Sequence, residues 1–314
     1  MRSVWLLLDD RIGNVNQILG IGSLLKATVI SKTIRYNGFI KLPNVILRNT
    51  LIGLSKESRK SLKPPFPDLV ISAGRRSLSC ALWIKKQSKG KTKIAHLMNP
   101  GSYGRDKIDL LILPQHDKPV SHTNLLRTIG TPNKISADFL KEQKEKWNPL
   151  FKAYPPIRLG LIVGGSTKDK VFTLKMAEEL IEKVKKIPHK SVLITTSRRT
   201  PAEIVEKLKK AFTDSFFYQW GNGQENPYFG ILSCSDLLVV TGDSISMCSE
   251  CCACHKPVFI FANPQMVSAK HLAFHETLYQ DGYAVPLGEK PPKEIKVLQE
   301  TKKIIQAIEK LFTH

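Results

Sequence analysis

A chain of 314 residues is long enough for two domains of roughly 150 residues each, and 42% hydrophobic residues suffice to build both cores. The opening apolar run, residues 4–8, stops at Asp9 and Asp10 and is too short for a secretory leader; no later segment approaches the roughly 20 apolar residues of a membrane span, so a soluble or peripheral protein is expected. The net charge of +21, from 48 Lys and Arg against 27 Asp and Glu, favours polyanionic partners such as phosphorylated substrates or an acidic membrane surface; without a zinc-finger, ribonucleoprotein, K-homology or basic-zipper pattern, specific nucleic-acid recognition is not expected.

In the first half, short apolar runs mark strands at residues 4–8, 69–72, 94–98 and 110–113. The second half repeats the plan at 159–163, 191–195, 216–218, 237–240 and 258–261. Helical patterns separate these runs, which predicts an α/β protein with parallel sheets and crossover helices. The charged segment 141–156, ending in Pro155-Pro156, reads as a linker, so the expected division is 1–150 and 157–288. In residues 289–314, a last helix over 292–312 places Ile304, Ile305, Ile308, Leu311 and Phe312 on one face and should dock onto the body.

Open parallel sheets bind ligands outside the carboxyl ends of their strands, so the loops there hold the candidate chemistry. After 159–163 comes Gly164-Gly165-Ser166-Thr167-Lys168, where missing side chains allow a phosphate to approach the backbone; the full Walker spacing is absent, which disfavours a nucleoside triphosphatase. After 191–195, Thr196-Ser197-Arg198-Arg199-Thr200-Pro201 pairs hydroxyl donors with two guanidinium groups, whose planar fork matches phosphate oxygens; a solvated helix start is the plainer reading. After 237–240, Thr241-Gly242-Asp243-Ser244 leads into a helix whose first turn is expected to carry Ser244, Ser246, Met247, Ser249 and Glu250 near the positive end of its dipole. Asn226-Pro227-Tyr228 precedes another helix and either meets a base or ribose or serves as an ordinary turn.

In the first half, Asp10, Arg11, Gly13, Asn14, Asn16 and Gln17 follow the first strand, and Gly74, Arg75 and Arg76 follow the strand at 69–72. Both loops are expected on the acceptor side of a cleft. His116 with Asp117 reads as structural, and no catalytic residue stands out. Of six cysteines, Cys248, Cys251, Cys252 and Cys254 cluster, but no distant ligand pair completes a zinc site, so no metal is assigned and core packing is the reading. Free thiols in this number suit a reducing cytoplasm, with the basic surface placing the protein peripherally on a membrane's inner face.

The Ser249-Glu250 pair, followed by four small residues and Pro257, resembles the donor-site motif of glycosyltransferases with two facing Rossmann-like domains, the glycosyltransferase-B type. The chain as a whole resembles bacterial relatives of the mitochondrial fission family called elongated mitochondria. That likeness rests on Asp10-Arg11-Ile12-Gly13-Asn14 with Asn16-Gln17, the 67–76 stretch, 114–117, 164–166, 195–201, 226–228 and 241–258, which run in order over nearly the whole sequence. It implies two Rossmann-like parallel-sheet domains facing across a cleft, with a nucleotide-diphosphate sugar in the second, no required cofactor, and Glu250 holding the donor ribose. It also implies a transferase acting on a membrane-associated, lipid-linked acceptor. The alternatives are a non-catalytic adapter at a membrane surface and a sugar-nucleotide epimerase.

Overall fold

The computed structural model describes residues 2–167, 169–291 and 294–313. The chain divides into two compact units, one formed by Met1–Lys134 with Gln299–His314 and the other by Ile135–Leu298.

The first unit contains β1 (Ser3–Leu8), α1 (Ile12–Leu24), β2 (Thr28–Thr33), α2 (Asn44–Leu47), α3 (Lys56–Ser61), β3 (Leu69–Ala73), α4 (Gly74–Gln87), β4 (Lys93–Leu97), β5 (Leu110–Pro114) and β6 (Leu125–Thr128). Its six strands pair in parallel in the order β2-β1-β3-β4-β5-β6. Every residue of β3 is buried, because helices cover both sheet faces and the strand can be apolar throughout. The sequence reading misses β2, an edge strand whose Thr, Ser and Lys positions leave no continuous apolar run, and it misses the short β6. It also carries the strand at 94–98 one residue too far, since Met98 turns into the left-handed region at φ 69° and ends the pairing.

The second unit runs α5 (Ala137–Phe151), β7 (Arg158–Val163), α6 (Leu174–Lys185), β8 (Ser191–Thr196), α7 (Ala202–Ala211), β9 (Phe216–Tyr218), α8 (Tyr228–Cys234), β10 (Leu237–Thr241), α9 (Ile245–Cys252), β11 (Val258–Phe261), α10 (Ala269–Gln280) and β12 (Val285–Pro286). The strands are again all parallel, in the order β12-β11-β10-β7-β8-β9. The two-residue β12 is too short to leave a signal in the sequence.

The expected linker is corrected. Most of 141–156 belongs to α5, which starts at a Ser136 cap whose side chain accepts from the Phe139 N–H. This helix packs on α8: the Phe139 and Phe229 rings meet edge to face at 5.2 Å, and Trp147 lies so close over Gly230 that a Cβ there would collide with it. The charges that suggested a linker sit on the solvated face of α5, and the division falls between Lys134 and Ile135 rather than near 150.

The last helix, α11 (Glu300–Lys310), belongs to the first unit. The expected start of that helix at Pro292 lies outside the described residues. Ile304 and Ile308 are buried in one core cluster with Val4, Leu6, Ile18, Ile21 and Ile71. Thr301 Oγ1 accepts from the Asn133 N–H at 2.9 Å and donates to the Asn133 carbonyl at 2.6 Å, and Gly20 of α1 leaves room for that backbone, where a Cβ would stand 2.7 Å from Asn133. Among the described residues, no helix is long and apolar enough to cross a membrane.

Candidate functional site

In the second unit the loops after β7, β8 and β10 form one hydrogen-bonded block around Asp243. Its carboxylate is buried and accepts from Thr241 Oγ1 at 2.7 Å, the Gly165 N–H at 2.9 Å and Arg199 Nη2 at 2.7 Å. Thr241 Oγ1 accepts in turn from the Gly164 N–H at 2.7 Å. The Ser166 N–H donates to the Arg199 carbonyl at 3.1 Å, and Thr200 Oγ1 donates to the Gly164 carbonyl. The glycines are what let these loops touch. A Cβ at Gly164 would collide with the Asp243 carboxylate, and one at Gly165 with the Arg199 carbonyl.

Most polar side chains of these loops accept hydrogen bonds from the protein's own backbone. Ser197 Oγ accepts from the Arg199 N–H at 3.1 Å, and the Ser197 N–H donates to Thr200 Oγ1 at 2.9 Å. Thr196 is buried and its Oγ1 accepts from the Trp220 N–H at 3.1 Å. Ser244 is the cap of α9, accepting from the Met247 N–H at 3.3 Å. Asn226 Oδ1 accepts from the Tyr228 N–H at 3.0 Å, the side-chain turn that opens α8. Arg198 differs from all of these: it is exposed and has no hydrogen bond or ion pair among the described residues. Lys168, the end of the Gly-Gly-Ser loop, lies outside the described residues.

The expected first turn of α9 is also corrected. Ser249 and Glu250 are the fifth and sixth residues of the helix, one turn later than read, because the helix begins only at Ile245. Ser249 is fully buried and donates to the Ile245 carbonyl at 2.7 Å. Half-buried Glu250 accepts from Tyr228 Oη at 2.6 Å, which ties α9 to α8. Burial, reinforced by the Glu250 charge, pushes the Tyr228 phenol well above its ordinary range, so it stays a donor. Ser246 and Met247 are half-buried on the same helix.

The sequence reading does not single out His271, in the first turn of α10. It shares a hydrogen bond with Ser268 Oγ at 2.7 Å. Burial lowers its basicity, and the nearby Asp243 carboxylate partly restores it. The available signal was its place at the helix start after β11, another strand with its carboxyl end at this side of the sheet. Cys248, Cys251, Cys252 and Cys254 are all buried, and burial raises every one of these thiols. They pack as small apolar groups, and among the described residues no set of three or more His, Cys, Asp or Glu is grouped to hold a metal.

In the first unit, Arg76 of α4 pairs with Asp10 and, at 3.3 Å, with Asp9, and its guanidinium lies 4.7 Å from the centre of the Tyr36 ring. The Arg76 hydrogen bond holds the Asp10 carboxyl below its usual range. Asn14 Nδ2 donates to Asp9 Oδ2 at 3.2 Å and lies 3.4 Å from where a Cβ on Gly74 would stand; Gly74 opens α4 at φ +72°. Gln17 donates to the Gly13 carbonyl at 3.2 Å within α1. Arg75 turns away from this cluster, donating to the Leu42 carbonyl at 2.8 Å and the Ile40 carbonyl at 3.0 Å. Arg11, Gly13 and Asn16 are exposed. These residues therefore bring the ends of β1 and β3 together, with Arg75 serving the neighbouring loop.

The sequence model of a family described as Mitochondrial fission ELM1 matches residues 12–312. An uncharacterised protein of Rickettsia prowazekii is 29% identical, over 98% of this chain and 97% of its own. The mitochondrial fission protein ELM1 of Arabidopsis thaliana is 26% identical over 68% of this chain, which spans 56% of that longer protein. Among solved structures, the UDP-GlcNAc 2-epimerase of Methanocaldococcus jannaschii superposes with a TM-score of 0.55 at 13% identity, covering 98% of this chain and 99% of its own. MurG of Acinetobacter baumannii gives 0.54 at 13% identity with the same coverage. UGT89C1 of Arabidopsis thaliana, complexed with UDP-L-rhamnose, gives 0.51 at 11% identity, covering 99% and 95%. The fold is that of the glycosyltransferase-B enzymes and related epimerases.

Proposed function

This chain belongs to the mitochondrial fission ELM1 family, and we propose that its second unit binds a nucleotide-diphosphate sugar at the carboxyl ends of β7, β8 and β10 and transfers the sugar to a membrane-associated acceptor. The observation that carries this reading is Arg198. Its neighbours Ser197, Arg199 and Thr200 are tied down by the Gly164-Gly165 loop and Asp243, while its own guanidinium is left to solvent. A rigid turn presenting one uncommitted fork suits the diphosphate, with Gly164, Gly165, Ser166, Thr196, Ser197 and Arg199 as its support.

The start of α9, at Ser244, Ser246 and Met247, adds backbone donors and a positive dipole end, which together would stabilise the leaving diphosphate without requiring a metal. Glu250, held by Tyr228 where α8 meets α9, is the carboxylate we assign to the donor ribose. Asn226 and Asp243 act beneath the ligand by shaping the loops. The acceptor side falls to the first unit's Asp10, Arg11, Gly13, Asn14, Asn16, Gln17, Gly74, Arg75 and Arg76. The likeness to a UDP-GlcNAc 2-epimerase and to UGT89C1 complexed with UDP-L-rhamnose supports the ligand class.

The test is calorimetric titration of UDP and UDP-sugars. Arg198→Ala and Glu250→Ala should each weaken binding by about 10- to 100-fold, the usual worth of a hydrogen bond to a charged group. Unchanged affinity in both variants would overturn the reading. A second reading, a non-catalytic adapter, draws on the degree to which Asp243, Thr200 and Asn226 are already satisfied within the protein. Absence of binding across the nucleotide panel would favour it. An epimerase would instead exchange the hydrogen at the sugar's second carbon with solvent.

A further inference from the structure

The connection from β2 to β3, residues 34–68, is longer than a simple crossover and contains a 3-10 turn at Gly38–Lys41 and the short helices α2 and α3. Its inner side is an ordinary core: Ile40, Leu47 and Leu54 are buried. The outer side should then be polar, yet Phe39, Val45, Ile46 and Ile52 are 56%, 56%, 57% and 44% exposed. Four large apolar side chains within fourteen residues are thus turned to solvent, more than a surface segment needs for its own folding.

The segment is held firmly in place. Tyr36 bridges to Leu54, Asn37 Nδ2 donates to the Ile52 and Leu54 carbonyls at 2.8 and 2.9 Å, and Arg75 grips the Ile40 and Leu42 carbonyls. The outward apolar groups are therefore presented on a braced platform.

Charge identifies the partner. Residues 34–68 hold seven Lys and Arg against two acidic residues, Glu57 and Asp68. Lys41 and Arg48, both exposed, alternate along the chain with these apolar residues, Lys41 between Phe39 and Val45 and Arg48 between Ile46 and Ile52. Protein interfaces are poor in Lys, whereas aliphatic groups and Phe in a lysine-rich segment are what an anionic bilayer boundary accommodates. The apolar side chains enter the acyl boundary while the cations meet acidic headgroups.

We propose that residues 34–62 form a docking surface for an anionic lipid bilayer. Arg75 and Arg76 join this surface to the Asp9-Asp10 loop within the first unit, so docking would bring the carboxyl ends of β1 and β3 toward the lipid. The proposal uses none of the second unit's residues and stands apart from nucleotide binding.

The experiment is co-sedimentation of the full chain with phosphatidylcholine vesicles, with and without phosphatidylglycerol, in the absence of nucleotide. The protein should partition onto the anionic vesicles. Phe39→Ser with Ile46→Ser, and separately Lys41→Glu with Arg48→Glu, should each lower partitioning about tenfold or more. Lys186→Glu with Lys210→Glu, the same charge change on exposed lysines of the second unit, should change it less than about threefold. Unaltered thermal midpoints would show that the variants fold. No partitioning of the parent protein, equal loss in the control variant, or full retention by the Phe39/Ile46 variant would each overturn the proposal. Vesicle binding without nucleotide binding would retain this surface and reject only the donor reading.

Discussion

At the scale of single residues, Asp243 and Arg198 divide the second unit's site into a part that holds and a part that waits. Asp243→Ala would strand the Gly165 N–H, the Thr241 hydroxyl and the Arg199 guanidinium; we expect a loss of about 3 kcal/mol, moderated because Arg199 is half-exposed, as read by urea unfolding. Arg198→Ala removes no internal contact and should leave stability within about 0.5 kcal/mol while weakening UDP-sugar binding. Gly165→Ala should destabilise by about 1–3 kcal/mol, since the new Cβ meets the Arg199 carbonyl and the backbone must shift. Sequence position brings these residues forward as candidates, because loops after buried strands are where a parallel sheet offers ligand sites. It did not reveal that the two glycines and most hydroxyls serve one another, since that depends on loops 30 to 80 residues apart in the chain meeting in space.

Among the elements, legibility follows burial. β3 and β10 are buried at every position and so read as continuous apolar runs, whereas edge strand β2 exposes four of its six positions, buries none fully and dissolves into the polar background. The same logic hid α5, in which Phe151 is the one residue wholly buried and a charged face dominates the composition. Helix starts were harder still: the boundary of α9 depends on the Ser244 cap, and an error of one turn moved Glu250 away from the dipole end. Lys256 makes a related point at a helix end. Its ammonium donates to the carbonyls of Leu232 at 2.6 Å, Ser233 at 2.8 Å and Ser235, closing the last turn of α8. Lys256→Met should therefore cost about 1–3 kcal/mol and speed amide exchange in α8 before it does so in β10.

For the whole molecule, each unit carries a buried neutral histidine. Burial lowers His96 to about 3 and His275 to about 4, so the unfolded chain takes up protons at a pH where the folded one does not. Stability should be level above the ordinary histidine range near pH 6.5 and fall as the pH drops toward 4, by roughly 3 kcal/mol for each histidine. Urea unfolding at several pH values checks this, and replacing either residue by Gln should flatten the slope. The same scale shows why α11 matters. Without Gln299–His314 the first unit would expose the face formed by Val4, Leu6, Ile18 and Ile21, so truncation at 298 should lower its unfolding midpoint while sparing the second unit. There is a consequence for synthesis on the ribosome. Residues 135–298 emerge as one uninterrupted piece, but the unit that leaves the tunnel first lacks Thr301, Ile304 and Ile308 until the whole of the second unit has been made. The usual order of vectorial folding is thus reversed, and the N-terminal half is the last to be completed.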